Sequence, residues 1–140
     1  MQTNKILIVD DDPVTLELMG TYIASFGFDH DTASNGLEAV EKLKKNNFTI
    51  VFTDMIMPEM DGMLLLKHIR EHYPKIDVIA TTGYGNTFTF TYIDVIRAGA
   101  SDFIAKPFSA DELKGKLNRL VKEQNIIKQI TKDERKRVSH

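Results

Sequence analysis

Six side chains, scattered along the sequence, carry most of the chemistry this chain could do. Asp10, Asp11 and Asp12 stand in a row before Pro13, Asp54 closes a second apolar run, and Thr82 and Lys106 close two more. Three carboxylates brought together cannot all stay ionised unaided: one takes up a proton, or a cation binds. A hard divalent cation meets that need. Mg²⁺, or Mn²⁺ in its place, takes one or two carboxylates, waters and a phosphate oxygen. A phosphoryl group then accounts for the remaining parts. On this reading Asp54 is the nucleophile toward phosphorus, and Asp10, Asp11, Asp54 and the Ile56 backbone carbonyl hold the metal. Lys106 pairs with one phosphoryl oxygen and the Thr82 hydroxyl donates to another. Asp12 is set apart as a helix cap.

These residues need a scaffold that brings strand ends together. "KILIV" (5–9) is short, apolar and rich in β-branching, as a strand buried on both faces should be. Asp12 suits an N-cap and Pro13 the first helical position; the helix carries Val14, Leu18, Met19, Tyr22, Ile23 and Phe26 and ends at Gly27. Further strands are expected at 28–33, 48–54, 77–82 and 101–106, with Pro107 stopping the last. Helices are expected over 35–47, 63–72 and about 88–98, and a long one follows the capping box Ser109-Ala-Asp-Glu112. The loop 55–62 is punctuated by Pro58 and Gly62, which shape the backbone after Asp54. Five βα units predict an α/β fold: a single domain with a five-stranded parallel sheet, doubly wound. In such a sheet the site lies beyond the carboxyl ends of the strands. With the first and third strands as neighbours, Asp10, Asp11 and Asp54 converge there, faced by Thr82 and Lys106.

The bulk numbers narrow the field. At 140 residues there is room for one compact domain, and a net charge of -2 supplies no field to recruit nucleic acid. The absence of cysteine excludes disulfides, thiolate chemistry and Cys-zinc sites. No apolar run approaches a membrane span, and "MQTNK" does not resemble a signal peptide, so a cytoplasmic domain is the expectation. His68 and His72 lie four apart on one expected helix; a transition-metal pair is the alternative, and a solvated face is the favoured reading.

In their order and register, "ILIVDDD", "DMIMPEMDG", "TTGYG" and "AGASDFIAKPF" resemble the receiver domain of bacterial two-component response regulators, over about residues 4–122. The resemblance implies a flavodoxin-like strand order, 2-1-3-4-5. It implies Asp10 and Asp11 as the acidic metal pair, Asp54 as phospho-acceptor and Thr82 as the hydroxyl switch residue. It also implies Lys106 as the phosphate-binding lysine, Phe103 as the aromatic switch residue and a cis Lys106–Pro107 peptide. The implied partner is a sensor histidine kinase or a histidine phosphotransfer protein. Output would go to a dimer or a downstream protein through the face of the fourth helix, fifth strand and fifth helix, with neither nucleic acid nor membrane bound by this domain. Such a domain is a signalling phospho-acceptor, catalysing only its own phosphoryl transfer and loss. Two positions flank the water's approach in this family, here Ile56 and Tyr84; neither side chain is a good base, and slow autodephosphorylation is expected.

Three other readings fit less well. A phosphoaspartyl hydrolase of the haloacid dehalogenase type has a second acid two residues after the nucleophile, where this chain has Ile56. A flavodoxin-type FMN carrier needs a hydroxyl- and glycine-rich loop after the first strand, where this chain is triply acidic. A receiver kept only for protein contacts has no need of the full acid, hydroxyl and lysine set. The chain departs from the family pattern in two places. Thr87 to Tyr92 are β-branched or aromatic residues of poor helix propensity, so an irregular start is expected for the fourth helix. Past residue 122, the steps Leu113, Leu117, Leu120, Gln124, Ile127 and Thr131 suggest a weak coiled-coil seam extending the fifth helix, and "KDERKRVSH" is expected to be disordered.

Overall fold

The computed structural model describes residues 4–55, 61–82 and 92–138. Five strands alternate with five helices: β1 (Lys5–Val9), α1 (Pro13–Ser25), β2 (Asp29–Ala33), α2 (Gly36–Lys45), β3 (Ile50–Asp54), α3 (Gly62–His72), β4 (Asp77–Thr82), α4 (Tyr92–Arg97), β5 (Asp102–Ala105) and α5 (Ala110–Val138). All strand pairs are parallel and the order is β2-β1-β3-β4-β5. The chain thus winds outward in both directions from β1, placing the β1 and β3 ends side by side.

Alternation along each strand splits the core in two. Ile6, Ile8, Ile50, Phe52, Ile79 and Ile104 point to one face and pack with Met19 and Ile23 of α1 and Leu113, Leu117 and Leu120 of α5. Leu7, Val9, Val51, Val78 and Ala80 point to the other and pack with Leu43, Leu65, Leu66, Ile69 and Val95 of α2, α3 and α4. Ile6 to Val9 are at most 1% exposed, because helices cover both faces of β1. An unbroken apolar run is what such a strand requires.

Local chemistry sets the helix ends. Asp12 caps α1, accepting from the Val14 N–H at 3.1 Å and the Thr15 hydroxyl at 2.8 Å. Asn35 caps α2 and Asp61 caps α3 in the same way. Ser109 accepts from the Glu112 N–H at 3.1 Å, so the capping motif starts α5 as its sequence indicates. Gly27 follows α1 at φ +91°, a left-handed conformation that suits glycine.

The edges of the elements differ from expectation. Phe48 and Thr49 precede β3 instead of opening it, although Phe48 is buried. β5 is shortened to Asp102–Ala105, so Lys106 lies just past the strand. The irregular segment expected at 87–91 lies outside the described residues; α4 is helical from Tyr92.

α5 brings two corrections. Leu113, Leu117 and Leu120 are buried against the chain's own sheet and offer no seam to a partner. Residues 132–138, expected to be disordered, continue the helix to Val138. Bonds at helical spacing support that turn, from Gln129 to Asp133 and from Arg137 to Glu134, and Arg135, Lys136 and Arg137 complement the negative end of the helix dipole.

Gln124 sits where α5 leaves the sheet. Its side-chain amide donates to the Thr49 carbonyl at 3.0 Å and to Asp77 Oδ2 at 2.6 Å. Asp77 Oδ1 accepts from the Ser101 hydroxyl at 2.7 Å, and that hydroxyl accepts from the Val78 N–H at 3.1 Å. The residue that would interrupt a coiled-coil seam is therefore the anchor of the helix to the lower ends of the strands. Gln124→Ala should cost about 1–3 kcal/mol, the range for stranding part-buried hydrogen-bond partners. Thermal unfolding checks the magnitude. Amide exchange should quicken from residue 124 onward while β1 and β3 stay protected.

Candidate functional site

The carboxyl ends of β1, β3 and β5 meet at one crevice. Asp10 follows β1 and Asp54 is the last residue of β3; they are 1% and 8% exposed, whereas Asp11 is open to solvent. Carboxylate oxygens of Asp10, Asp11 and Asp54 all lie within 4.8 Å of one another. Lys106 reaches in from beyond β5, its Nζ 2.6 Å from Asp10 Oδ2 and 3.3 Å from Asp54 Oδ2. Asp10 also accepts the Asp12 N–H at 2.9 Å, so the turn into α1 is pinned to the site.

The charge balance is uneven. Three carboxylates face one ammonium, and two of them are buried. Burial alone would lower the Lys106 pKa, but the Asp10 hydrogen bond and the charges of Asp54 and Asp10 outweigh it and hold the lysine above its ordinary value. Lys106 is thus a fixed cation at any physiological pH. A set of hard oxygen donors with surplus negative charge fits a divalent cation such as Mg²⁺. Asp12 takes no part in the cluster, as its capping role requires.

The backbone around Asp54 is held tightly. The Met55 N–H donates to the Thr81 carbonyl at 3.0 Å, and the Gly62 N–H donates to the Met55 carbonyl at 3.2 Å. A Cβ on Gly62 would collide with the Asp54 carbonyl oxygen and the Met55 Cα. The first turn of α3 can therefore lie against the β3 end only without a side chain. Gly62→Ala should destabilise by about 1–3 kcal/mol, since overpacking here meets backbone and cannot be relieved by a rotamer. It should also weaken divalent-cation binding at the Asp54 carboxylate. Denaturant unfolding and a Mg²⁺ titration read the two effects.

Thr82 ends β4 with Ala105 of β5 as its Cα partner, which puts its backbone on the same rim. Its side chain lies outside the described residues, as do Ile56, Pro58 and Tyr84. Phe103, in β5, is partly buried against the core face shared with α4. The Lys106–Pro107 peptide is cis, as the resemblance implies.

One charged group, at the amino end of β5 away from the crevice, had no sequence signal. Asp102 accepts from the Phe103 N–H at 2.7 Å, from Lys116 Nζ at 3.1 Å and from Arg119 at 2.6 Å. Burial would raise its pKa, but those donors outweigh burial and lower it. It clasps α5 to the strand that carries Phe103. Nothing near Asp102 in the sequence announces partners fourteen and seventeen residues away. Asp61 was legible in principle, as an acid one residue before a run with helical spacing.

An open parallel sheet with an acidic crevice and a lysine at its strand ends places this chain among the doubly wound α/β domains, which bind their ligands beyond the carboxyl ends of the strands. Residues 6–118 match the family model for the response regulator receiver domain, and the chain belongs to that family. Among curated proteins it is 36% identical over 127 residues to the regulatory protein AtoC of Escherichia coli, covering 91% of this chain and 27% of AtoC. It is 36% identical over 111 residues to the transcriptional regulatory protein SrrA of Staphylococcus aureus, covering 79% of this chain and 45% of SrrA. The chain thus spans less than half the length of these relatives.

Solved structures agree on the fold. A receiver domain protein from Clostridium thermocellum superposes with a TM-score of 0.81 at 28% identity, over 89% of this chain and 98% of that one. NtrX from Brucella abortus, in complex with ADP, superposes with a TM-score of 0.86 at 29% identity, over 99% of this chain and 30% of that one.

Proposed function

We propose that this receiver domain accepts a phosphoryl group on Asp54 from a phosphohistidine of a sensor kinase or phosphotransfer protein, and that the modification switches its protein contacts. The observation that carries the reading is Lys106 Nζ lying between Asp10 and Asp54 at 2.6 and 3.3 Å. A cation placed there can follow an oxygen of an incoming phosphoryl group without leaving the crevice. Asp10, Asp11, Asp54 and the Ile56 carbonyl are the groups that would hold Mg²⁺, which neutralises phosphoryl charge when bound.

In the transfer, an Asp54 carboxylate oxygen forms the bond to phosphorus as the bond from phosphorus to the donor nitrogen breaks, and the imidazole leaves with the electron pair. Lys106 offsets charge on the phosphoryl oxygens, the Thr82 hydroxyl donates to one of them, and Phe103 fills the space that Thr82 vacates. That last pair of movements is a shift between two packings, biased by the phosphoryl group only as far as it favours one of them. The surface of α4, β5 and α5 then offers the changed contact. A cytoplasmic location suits such a partner.

Incubation with acetyl phosphate and Mg²⁺, then chemical trapping and peptide mapping, tests the reading. Label on Asp54 supports it; label on another segment, or none with metal present, overturns it. The lifetime of the product is a separate prediction. The Ile56 side chain has no hydrogen-bonding group to hold a water, and Tyr84, with an ordinary pKa of about 10, is a poor base near neutrality. The phosphorylated form should last minutes or longer, and an Ile56→Asn/Tyr84→Glu double variant should lose label faster by tenfold or more, about 1.4 kcal/mol of barrier. A wild-type half-life of seconds, or an unchanged variant, refutes this account of the two side chains.

A further inference from the structure

The outer face of α3 carries a pair of imidazoles that the strand-end site does not use. His68 and His72 lie one helical turn apart, with ring centroids 4.3 Å apart and planes within 18°. His72 is exposed and His68 half-buried, so the pair opens to solvent on one side. His72 Nδ1 lies 3.1 Å from the His68 carbonyl oxygen. A carbonyl can only accept, so Nδ1 carries the proton. In the neutral ring the lone pair is then on Nε2, on the side away from the backbone. A ring N–H given to a backbone carbonyl is how metal-binding histidines are commonly fixed in tautomer and orientation.

We propose that His68 and His72 form a two-imidazole chelating site for a borderline transition-metal cation, of the Cu²⁺, Ni²⁺ or Zn²⁺ class, independent of the strand-end carboxylates. Residues four apart on a helix share a face, which aligns the two rings before any metal arrives. Metal–nitrogen bonds of about 2.0–2.1 Å ask for donor atoms roughly 3 Å apart, which rotation of the His68 ring supplies while the His72 ring keeps its bond to the carbonyl. Among the described residues the one group of three or more His, Asp or Glu side chains close enough to share an ion is Asp10, Asp11 and Asp54. Water therefore completes the coordination at the histidines. Imidazole nitrogens also separate the two sites by chemistry, since Mg²⁺ keeps to oxygen and the order of affinity here runs Cu²⁺ above Ni²⁺.

The test is a Ni²⁺ titration of the untagged chain, with excess Mg²⁺ to occupy the carboxylates, followed by nuclear magnetic resonance and calorimetry. Paramagnetic broadening should centre on residues 65–73. His68→Gln and His72→Gln should each weaken binding at least about tenfold, ~1.4 kcal/mol, while helical content and acetyl-phosphate labelling stay as in wild type. Broadening confined to residues 10, 11 and 54 or to the chain ends overturns the site. Broadening at 65–73 that survives either single substitution shows one imidazole acting alone and overturns the chelate.

Discussion

Asp54→Asn should abolish labelling by acetyl phosphate, a loss of at least about a thousandfold or ~4 kcal/mol of barrier. The amide keeps the shape of the side chain but lacks the carboxylate oxygen that must bond to phosphorus. The substitution should not unfold the protein. It removes one of three carboxylates whose oxygens lie within 4.8 Å of one another, so electrostatic strain falls in the metal-free state. The melting temperature without Mg²⁺ should equal or exceed that of wild type, which separates loss of chemistry from loss of fold. The Mg²⁺-induced rise in melting temperature should shrink, because a ligand is gone. Label persisting on any side chain other than a neighbouring acid would sink the assignment of Asp54.

The second large effect belongs to Lys106→Met, which keeps the aliphatic stem and deletes the charge. Asp10, 1% exposed, and Asp54, 8% exposed, would lose the cation that sits 2.6 and 3.3 Å from them. Breaking a fully buried pair costs about 3–5 kcal/mol; with Asp11 open to solvent beside it, roughly 2–3 kcal/mol is expected near neutral pH. Mg²⁺ should restore more stability to the variant than it adds to wild type, since the metal then takes over the positive charge that Lys106 supplied.

The pH dependence has a definite sign. The fold raises the Lys106 pKa above its ordinary 10.5. Its contribution is therefore complete below that value and is lost as pH climbs through the higher folded value. Wild type and variant should differ by a constant amount from pH 7 to about pH 10 and converge above it. Equal stability at pH 7, measured by denaturant unfolding, would show that these ion pairs do not support the fold.

The parts of the fold that were legible in the sequence are those governed by local rules. The β1 run, buried on both faces, had to be apolar throughout, and Asp12-Pro13 and Ser109 to Glu112 are capping chemistry written in consecutive residues. The crevice was legible because strand ends in a doubly wound sheet share one edge; once Asp10 and Asp54 are placed at strand ends, topology brings them together.

What escaped depends on partners distant in sequence. Gln124 reads as a polar flaw in a seam because its acceptors, Thr49 just before β3 and Asp77 at the start of β4, are distant in sequence. Asp102 looked like an ordinary strand residue until α5 laid Lys116 and Arg119 over it. The tail after residue 131 was misjudged for a different reason. Dense charge there points to disorder, whereas the Arg137–Glu134 pair three residues apart and the Gln129–Asp133 hydrogen bond four apart let a solvated helix continue.

That helix has a mechanical consequence. α5 runs 29 residues, and Gln124 divides it into a part clamped to the sheet and a free part ending at Val138. At 1.5 Å per residue the free part is a rod of about 21 Å. A tilt of about 10° about Gln124 would swing its tip by roughly 4 Å, far more than any atom near the pivot moves. The clamp is fastened to Asp77, the first residue of the strand whose last residue is Thr82. The rod therefore turns about a hydrogen bond to the start of β4, and the effect of a small change of angle there is largest at Val138.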